Sequence, residues 1–156
     1  MKKLILIVTI CLSGTFIIKA QTQAEELQYF QSLFGMEKKL AVGEFLQIAG
    51  DASVSFWEAY DAFDYERRDL GLERLELLNK YADQYLELDS KKTEEIINET
   101  IALGKAYDKL IVKYYKKIKK SNGAKTAAQF YQIEIYIQSS IRATILSSIP
   151  FVGELE

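Results

Sequence analysis

Residues 54–88 read VSFWEAYDAFDYERRDLGLERLELLNKYADQYLEL, and this stretch decides the fold. Large side chains return at alternating steps of four and three: Phe56, Tyr60, Phe63, Arg67, Leu70, Arg74, Leu78, Tyr81, Tyr85 and Leu88. That spacing belongs to one face of an α-helix, whereas a half-buried strand would alternate every second residue. At the helical rise per residue the segment reaches about 50 Å. Two arginines interrupt the apolar seam, and Gly71 lies between them, a residue type at which helices bend.

Working outward, 49–53 reads as a turn, with Asp51 or Ser53 as the N-cap of the long helix. Ahead of it a helical region over 24–48 carries Leu27, Phe30, Leu33 and Phe34 on one face, continued by Leu40, Phe45 and Ile48. Gly35 and Gly43 each weaken that region by about 1 kcal/mol relative to Ala. Downstream, Asp89 or Ser90 caps a third helix over 92–120. Its apolar band is wide, with Ile97, Ile101, Gly104, Ile111, Tyr115 and Ile118 beside Ile96, Leu103, Tyr107, Leu110 and Tyr114, so it is expected to pack on two sides. Ser121-Asn122-Gly123 ends it as a turn. A last helix over 125–148 carries Phe130, Ile133, Ile137, Ile141 and Ile145, closed by Pro150, the one proline of the chain. The expected fold is all-α: an elongated antiparallel hairpin or cradle of three to four helices in a single domain over 21–156. A thin helical layer leaves an apolar face uncovered, so a homodimer or a bound client is expected to cover it.

The first twenty residues follow the order of a secretory signal peptide: Lys2 and Lys3, an apolar run from Leu4 to Ile18, then Lys19-Ala20-Gln21. The run is shorter than the roughly 20 residues a membrane-spanning helix needs. Cleavage near Ala20 and a periplasmic location without stable membrane insertion are therefore expected. Cleavage removes Cys11, the only cysteine, and the chain has no histidine. Chemistry is bounded accordingly. The mature chain has no Ser-x-x-Lys motif and no imidazole to activate a serine or threonine, and it lacks the Glu-x-x-His pairs from which helical bundles build di-metal sites. No catalytic residue, metal or cofactor is expected.

Charge is divided between the halves. Residues 21–99 hold 18 acidic and 8 basic side chains, and residues 100–156 hold 4 acidic and 9 basic. Lys105, Lys109, Lys113, Lys116 and Lys120 share one face of the third helix, either as a solvated face near a helix C-terminus or as a contact surface for an acidic partner. Export argues against nucleic acid. Glu58, Asp61 and Asp64, and Glu94, Glu95 and Glu99, read as salt-bridge partners for those lysines. Phe56, Trp57, Tyr60 and Phe63 read as core. Arg67 and Arg74 on the apolar seam have two readings: their heads snorkel past the core edge, or they line an amphipathic binding surface.

These residues carry a family resemblance. Phe56-Trp57-Glu58-Ala59-Tyr60-Asp61-Ala62-Phe63, Tyr81-Ala82-Asp83-Gln84-Tyr85, Leu88-Asp89-Ser90 and Ile149-Pro150-Phe151-Val152 resemble segments of the Spy/CpxP group of periplasmic helical proteins. Lys125-Thr126-Ala127-Ala128-Gln129-Phe130-Tyr131-Gln132-Ile133-Glu134 is similar to that group's Leu-Thr-x-x-Gln motif and its following helix. Thr126 and Gln129 match the motif, Lys125 replaces its leucine, and the first copy is degraded to 49–55. The resemblance implies a cradle-shaped, usually dimeric fold in which Thr126 and Gln129 are structural, with Thr126 capping the last helix. It also implies a role in envelope stress: ATP-independent chaperoning of unfolded or misfolded envelope proteins or, in other members, sensing through a membrane signalling or anti-sigma partner. Arg67, Arg74, Lys105, Lys109, Lys113, Lys116 and Lys120 are the candidate contact residues.

Overall fold

The computed structural model describes residues 36–155. The expected signal peptide and the first part of the expected leading helix lie outside them. The chain divides into two units, Met1–Ala41 and Val42–Glu156. Residues 36–46 are helical (α1), and the boundary between the units falls within them. No strand occurs among the described residues, so the all-α expectation holds.

The second unit holds the core. Its two long helices are α2, Asp51–Gln84, and α3, Ser90–Leu146, separated by a single 3₁₀ turn, Tyr85–Glu87. The N-cap of α2 is Gly50 at φ 69°. The backbone N–H and hydroxyl of Ser53 both donate to the Gly50 carbonyl, at 2.9 and 2.7 Å. Glycine in this left-handed conformation starts the helix three residues before the expected position, and Ser53 supports the cap from inside the first turn. The helix α2 continues unbroken through Gly71. At the far end Asp89 caps α3 as read, its carboxylate accepting from Lys92 N at 2.8 Å. Within α3 one residue leaves the helix, Gly123 at φ 84°, ψ 171°. It divides α3 into limbs over 90–122 and 124–146, the two helices expected on either side of the Asn-Gly turn.

Partner numbers define how these segments lie. Lys80 of α2 pairs with Glu95 and Glu99, Arg74 sits on Tyr107, and Glu66 pairs with Lys113, so numbers rise on α3 as they fall on α2. The first limb therefore runs opposite to α2. Tyr115 meets Tyr131 across Gly123, and Gly104 meets Arg142, so the second limb runs opposite to the first. The wide apolar band of the first limb is used on both sides, as its width requires.

Phe63 is where all three segments meet. Its ring lies 5.5 Å from Tyr114 and 5.2 Å from Phe130, both edge-on, a favoured geometry for aromatic pairs. Phe56, Tyr60, Ile111, Ile118 and Ala127 complete this buried cluster together with Val42 and Leu46. Burial then fades along α2. Its buried residues end at Arg67, and Leu70, Arg74, Leu78 and Tyr81 are only half-buried. The stripe continues in sequence, but the packing around it opens.

Candidate functional site

That opening is a cleft of 540 Å³ between the second half of α2, the start of α3 and the end of its second limb. The volume lies within the range of about 300–1,000 Å³ typical of small-molecule sites. Leu77, Leu78 and Tyr81 form the α2 wall, and Ile96, Ile97 and Ile101 form the α3 wall. The third wall is Ile145, Ile149, Pro150 and Phe151. Two tyrosines fix it in place. The Tyr81 hydroxyl donates to Pro150 O at 2.8 Å, and the Tyr85 hydroxyl donates to Phe151 O at 2.7 Å while accepting from the backbone N–H groups of Glu154 and Leu155. Pro150 carries no N–H, so the helix stops here and the chain folds against these hydroxyls.

One end of the cleft is cationic. Arg74 places its guanidinium 4.4 Å from the centroid of the Tyr107 ring and donates to Gln138 Oε1 at 3.2 Å. Burial, opposed by Tyr107, and then the neighbouring charges of Arg142 and Arg67 hold its pKa below the ordinary arginine value. Burial likewise raises the Tyr107 hydroxyl. Arg142 reaches over Gly104, whose missing side chain leaves room for the guanidinium. Lys105 completes the basic lining, and Asp108 is its one acid.

Deeper in the bundle lies a buried polar file. Tyr60 donates to Glu134 Oε1 at 3.2 Å, and Arg67 grips Asp64 Oδ1 through Nε and Nη2 at 3.0 and 2.8 Å. Burial first, then the charges of Glu134 and Asp64, push the Tyr60 hydroxyl far above its ordinary value and keep it a hydrogen-bond donor. Glu134 is fully buried and Gln138 nearly so. The second limb thus turns Ala127, Phe130, Glu134 and Gln138 inward, whereas Ile133, Ile137, Ile141 and Ile145 are half-buried. Polar partners for the arginine seam occupy the line where the isoleucine stripe was expected.

The sequence-derived candidates fall in different places. Arg74 and Lys105 line the cleft. Arg67 does not reach a contact surface, because it is 7 % exposed and bound to Asp64 inside the bundle. Lys113 is exposed but tied to Glu66 at 2.6 Å. Lys109, Lys116 and Lys120 stand on the solvent side, outside the cleft. The acids expected to pair with this lysine face pair elsewhere: Glu95 and Glu99 with Lys80, and Asp64 with Arg67 and Arg68. Thr126 and Gln129 are half-buried, and the residues between and after them, Ala127 and Phe130, are the buried ones. Thr126 lies inside the helix three residues past Gly123, beyond the cap position expected for it.

Sequence reading missed Glu134, Gln138, Arg142 and the Tyr81–Tyr85 clasp. One signal was present: Glu134 is the only acidic residue between 109 and 153, four residues after a core phenylalanine. The four-residue step puts it on the same helix face as Phe130. Among the described residues no helix is long and apolar enough to cross a membrane, and no group of three or more Cys, Asp or Glu side chains is placed to hold a metal ion. The chain matches no family model, and neither a curated protein nor a solved structure is found to resemble it.

Proposed function

We propose that this chain is a non-catalytic binding protein of the cell envelope that shields apolar parts of unfolded or misfolded client proteins, in the manner of Spy-like chaperones. The observation that carries this reading is the 540 Å³ apolar cleft with Arg74, Lys105 and Arg142 at one end. An open apolar surface of this kind, bordered by cations, holds greasy side chains while attracting acidic segments, and it requires no ATP. The resemblance of 56–63, 125–134 and 149–152 to Spy/CpxP proteins supports the same role. In this reading the signal peptide delivers the chain to the periplasm, and the helices form an elongated cradle that pairs as a homodimer. Large exposed apolar side chains such as Leu86, Tyr65 and Tyr136 give such a dimer material to cover.

The test is aggregation of a chemically denatured client diluted into buffer without nucleotide. Equimolar protein slows the rise in light scattering, and sedimentation equilibrium gives twice the chain mass. Scattering that rises as fast as in its absence would sink the shielding role.

A further inference from the structure

The cleft is polarised along its length, and all three walls agree on the direction. On α2 the lining goes from Arg74 to Tyr81, on the first limb from Asp108 and Lys105 to Ile96, and on the last wall from Arg142 to Val152. Each begins charged and ends apolar. From Asp108 to Ile96 the helical rise gives a cleft about 18 Å long.

The charged end carries more positive than negative charge. Among the described residues Arg142 makes no ion pair or hydrogen bond, and Arg74 has the neutral Gln138 amide as its acceptor. Three cations face one acid, Asp108. Burial and the nearness of Arg142 depress the pKa of Arg74, the sign expected where positive charge is packed without an anion. The apolar end has the opposite character. Its two hydroxyls are already spent as donors to backbone carbonyls, Thr100 to Ile96 O and Tyr81 to Pro150 O, both at 2.8 Å. A polypeptide backbone laid in this end would leave its N–H and C=O groups without partners, whereas a hydrocarbon chain has none to satisfy.

We propose that the cleft binds a single-chain anionic amphiphile, its acyl chain against Leu77, Tyr81 and Ile101 and its carboxylate or phosphate head between Arg74 and Arg142. The planar, forked guanidinium suits either head, because both present paired oxygens. This assignment rests on the reading of the cleft as the place where apolar matter is taken up. Client side chains and the amphiphile then compete for one space.

Protein purified from cells expressing the full chain is titrated with palmitate, lysophosphatidate and glycerol monopalmitate below their micelle concentrations, followed by calorimetry. The expected result is saturable binding of one palmitate or lysophosphatidate per chain, with glycerol monopalmitate weaker. Arg142→Gln lowers affinity for both anions about tenfold, the weight of one charge-assisted pair, and leaves glycerol monopalmitate unchanged. Ile101→Glu weakens all three ligands, and Lys116→Gln, outside the cleft, weakens none. A preference for palmitate identifies a fatty acid head and a preference for lysophosphatidate a phosphate head, and either supports the proposal. Absence of saturable binding, or an equal loss for charged and uncharged ligands in Arg142→Gln, overturns it. Client aggregation measured on the same preparation separates the two readings. Suppression without amphiphile binding removes this inference alone, and amphiphile binding without suppression removes the client role and leaves this inference standing.

Discussion

The guanidinium of Arg142 rests against the bare backbone of Gly104, where a Cβ would stand 3.3 Å from Arg142 Nη2. The two residues belong to opposite limbs of α3, so a glycine in one helix makes room for a cation from the other. Gly104→Ala asks the tip of a flexible side chain to move by a few tenths of an ångström. It also replaces the poorest common helix former but proline with the best, a gain of about 1 kcal/mol. The variant is therefore expected to be more stable than the parent by up to about 1 kcal/mol, read from the urea midpoint by circular dichroism. A fall in the midpoint would mean that Arg142 cannot yield and that this contact is rigid.

The aromatic junction gives the largest expected loss. Phe63 and Phe130 are fully buried and in edge contact. Truncating either to Ala removes its burial and leaves a cavity, a cost of about 3–5 kcal/mol. Tyr65, two residues on and 72 % exposed, is the matched control, and Tyr65→Ala should shift stability by no more than about 0.5 kcal/mol. Equal effects at Phe63 and Tyr65 would show that the inner face of α2 has been assigned wrongly.

Helices and turns were legible in the sequence because their causes are local. The spacing of Phe56, Tyr60 and Phe63, the cap at Asp89 and the turn at Asn122-Gly123 depend on residues a few positions apart, and all three stand in the structure. The cleft was not legible. Its charged end combines Arg74, Gly104 and Arg142, and each looks ordinary within its own helix. Arg67 shows the same division. Its place on the seam was read, but its partner Asp64 was assigned to the lysine face, because an i,i+3 pair turned inward cannot be told from one turned outward until the neighbouring limb is placed. Gly50 shows a smaller version. Helix start signals favour Ser and Asp, and the backbone there took the positive φ that only glycine adopts without strain.

Arg67 and Asp64, each 7 % exposed, make a buried pair whose two halves are expected to differ sharply from their sum. Arg67→Met leaves the Asp64 carboxylate buried without its closest cation and should cost about 3–5 kcal/mol. Adding Asp64→Leu removes the under-compensated carboxylate, and the double variant should recover much of that loss. Arg68, 45 % exposed at 3.3 Å from the same carboxylate, is worth less than about 1 kcal/mol, so Arg68→Ala is close to neutral. A double variant that unfolds as readily as Arg67→Met would show that the charges support the packing in a way leucine and methionine cannot replace.

Acid should weaken the contact between α2 and the first limb at Glu66. Its carboxylate accepts from Lys113 at 2.6 and 2.7 Å and from the Tyr114 hydroxyl at 2.7 Å. These bonds, the lysine's first, hold Glu66 below the ordinary value of 4.5. Burial, then the bond to Glu66, pushes the Tyr114 hydroxyl up to about 12. A carboxyl whose folded pKa is depressed stabilises the fold above its unfolded value, and that contribution is lost as pH falls through the folded value. Glu66 is 40 % exposed, so the effect stays below about 1 kcal/mol. The stability gap between the parent and Glu66→Gln should be full near neutral pH and close progressively once pH drops below about 4.5. A gap that widens on acidification would reverse the sign and refute the assignment.

The break in α3 is expected to depend on glycine for its backbone alone. Gly123 sits at φ 84°, ψ 171°, a region that residues with a side chain enter only with strain. Nothing lies within 4 Å of a Cβ built there, so crowding adds no cost. Gly123→Ala should therefore lose about 1–3 kcal/mol, the strain of the conformation itself. The neighbouring Asn122 holds the break against the start of α2, its amide donating to Ala52 O at 2.6 Å and Ser55 Oγ at 3.1 Å. Asn122→Ala gives up those bonds, about 1 kcal/mol each, and with both substitutions the two limbs lose both the fold-back geometry and its anchor. Combined losses beyond the sum of the singles would mark 122–123 as one cooperative corner. A Gly123→Ala variant as stable as the parent would mean that α3 has another low-energy path through residue 123, with the limbs free to continue as one rod.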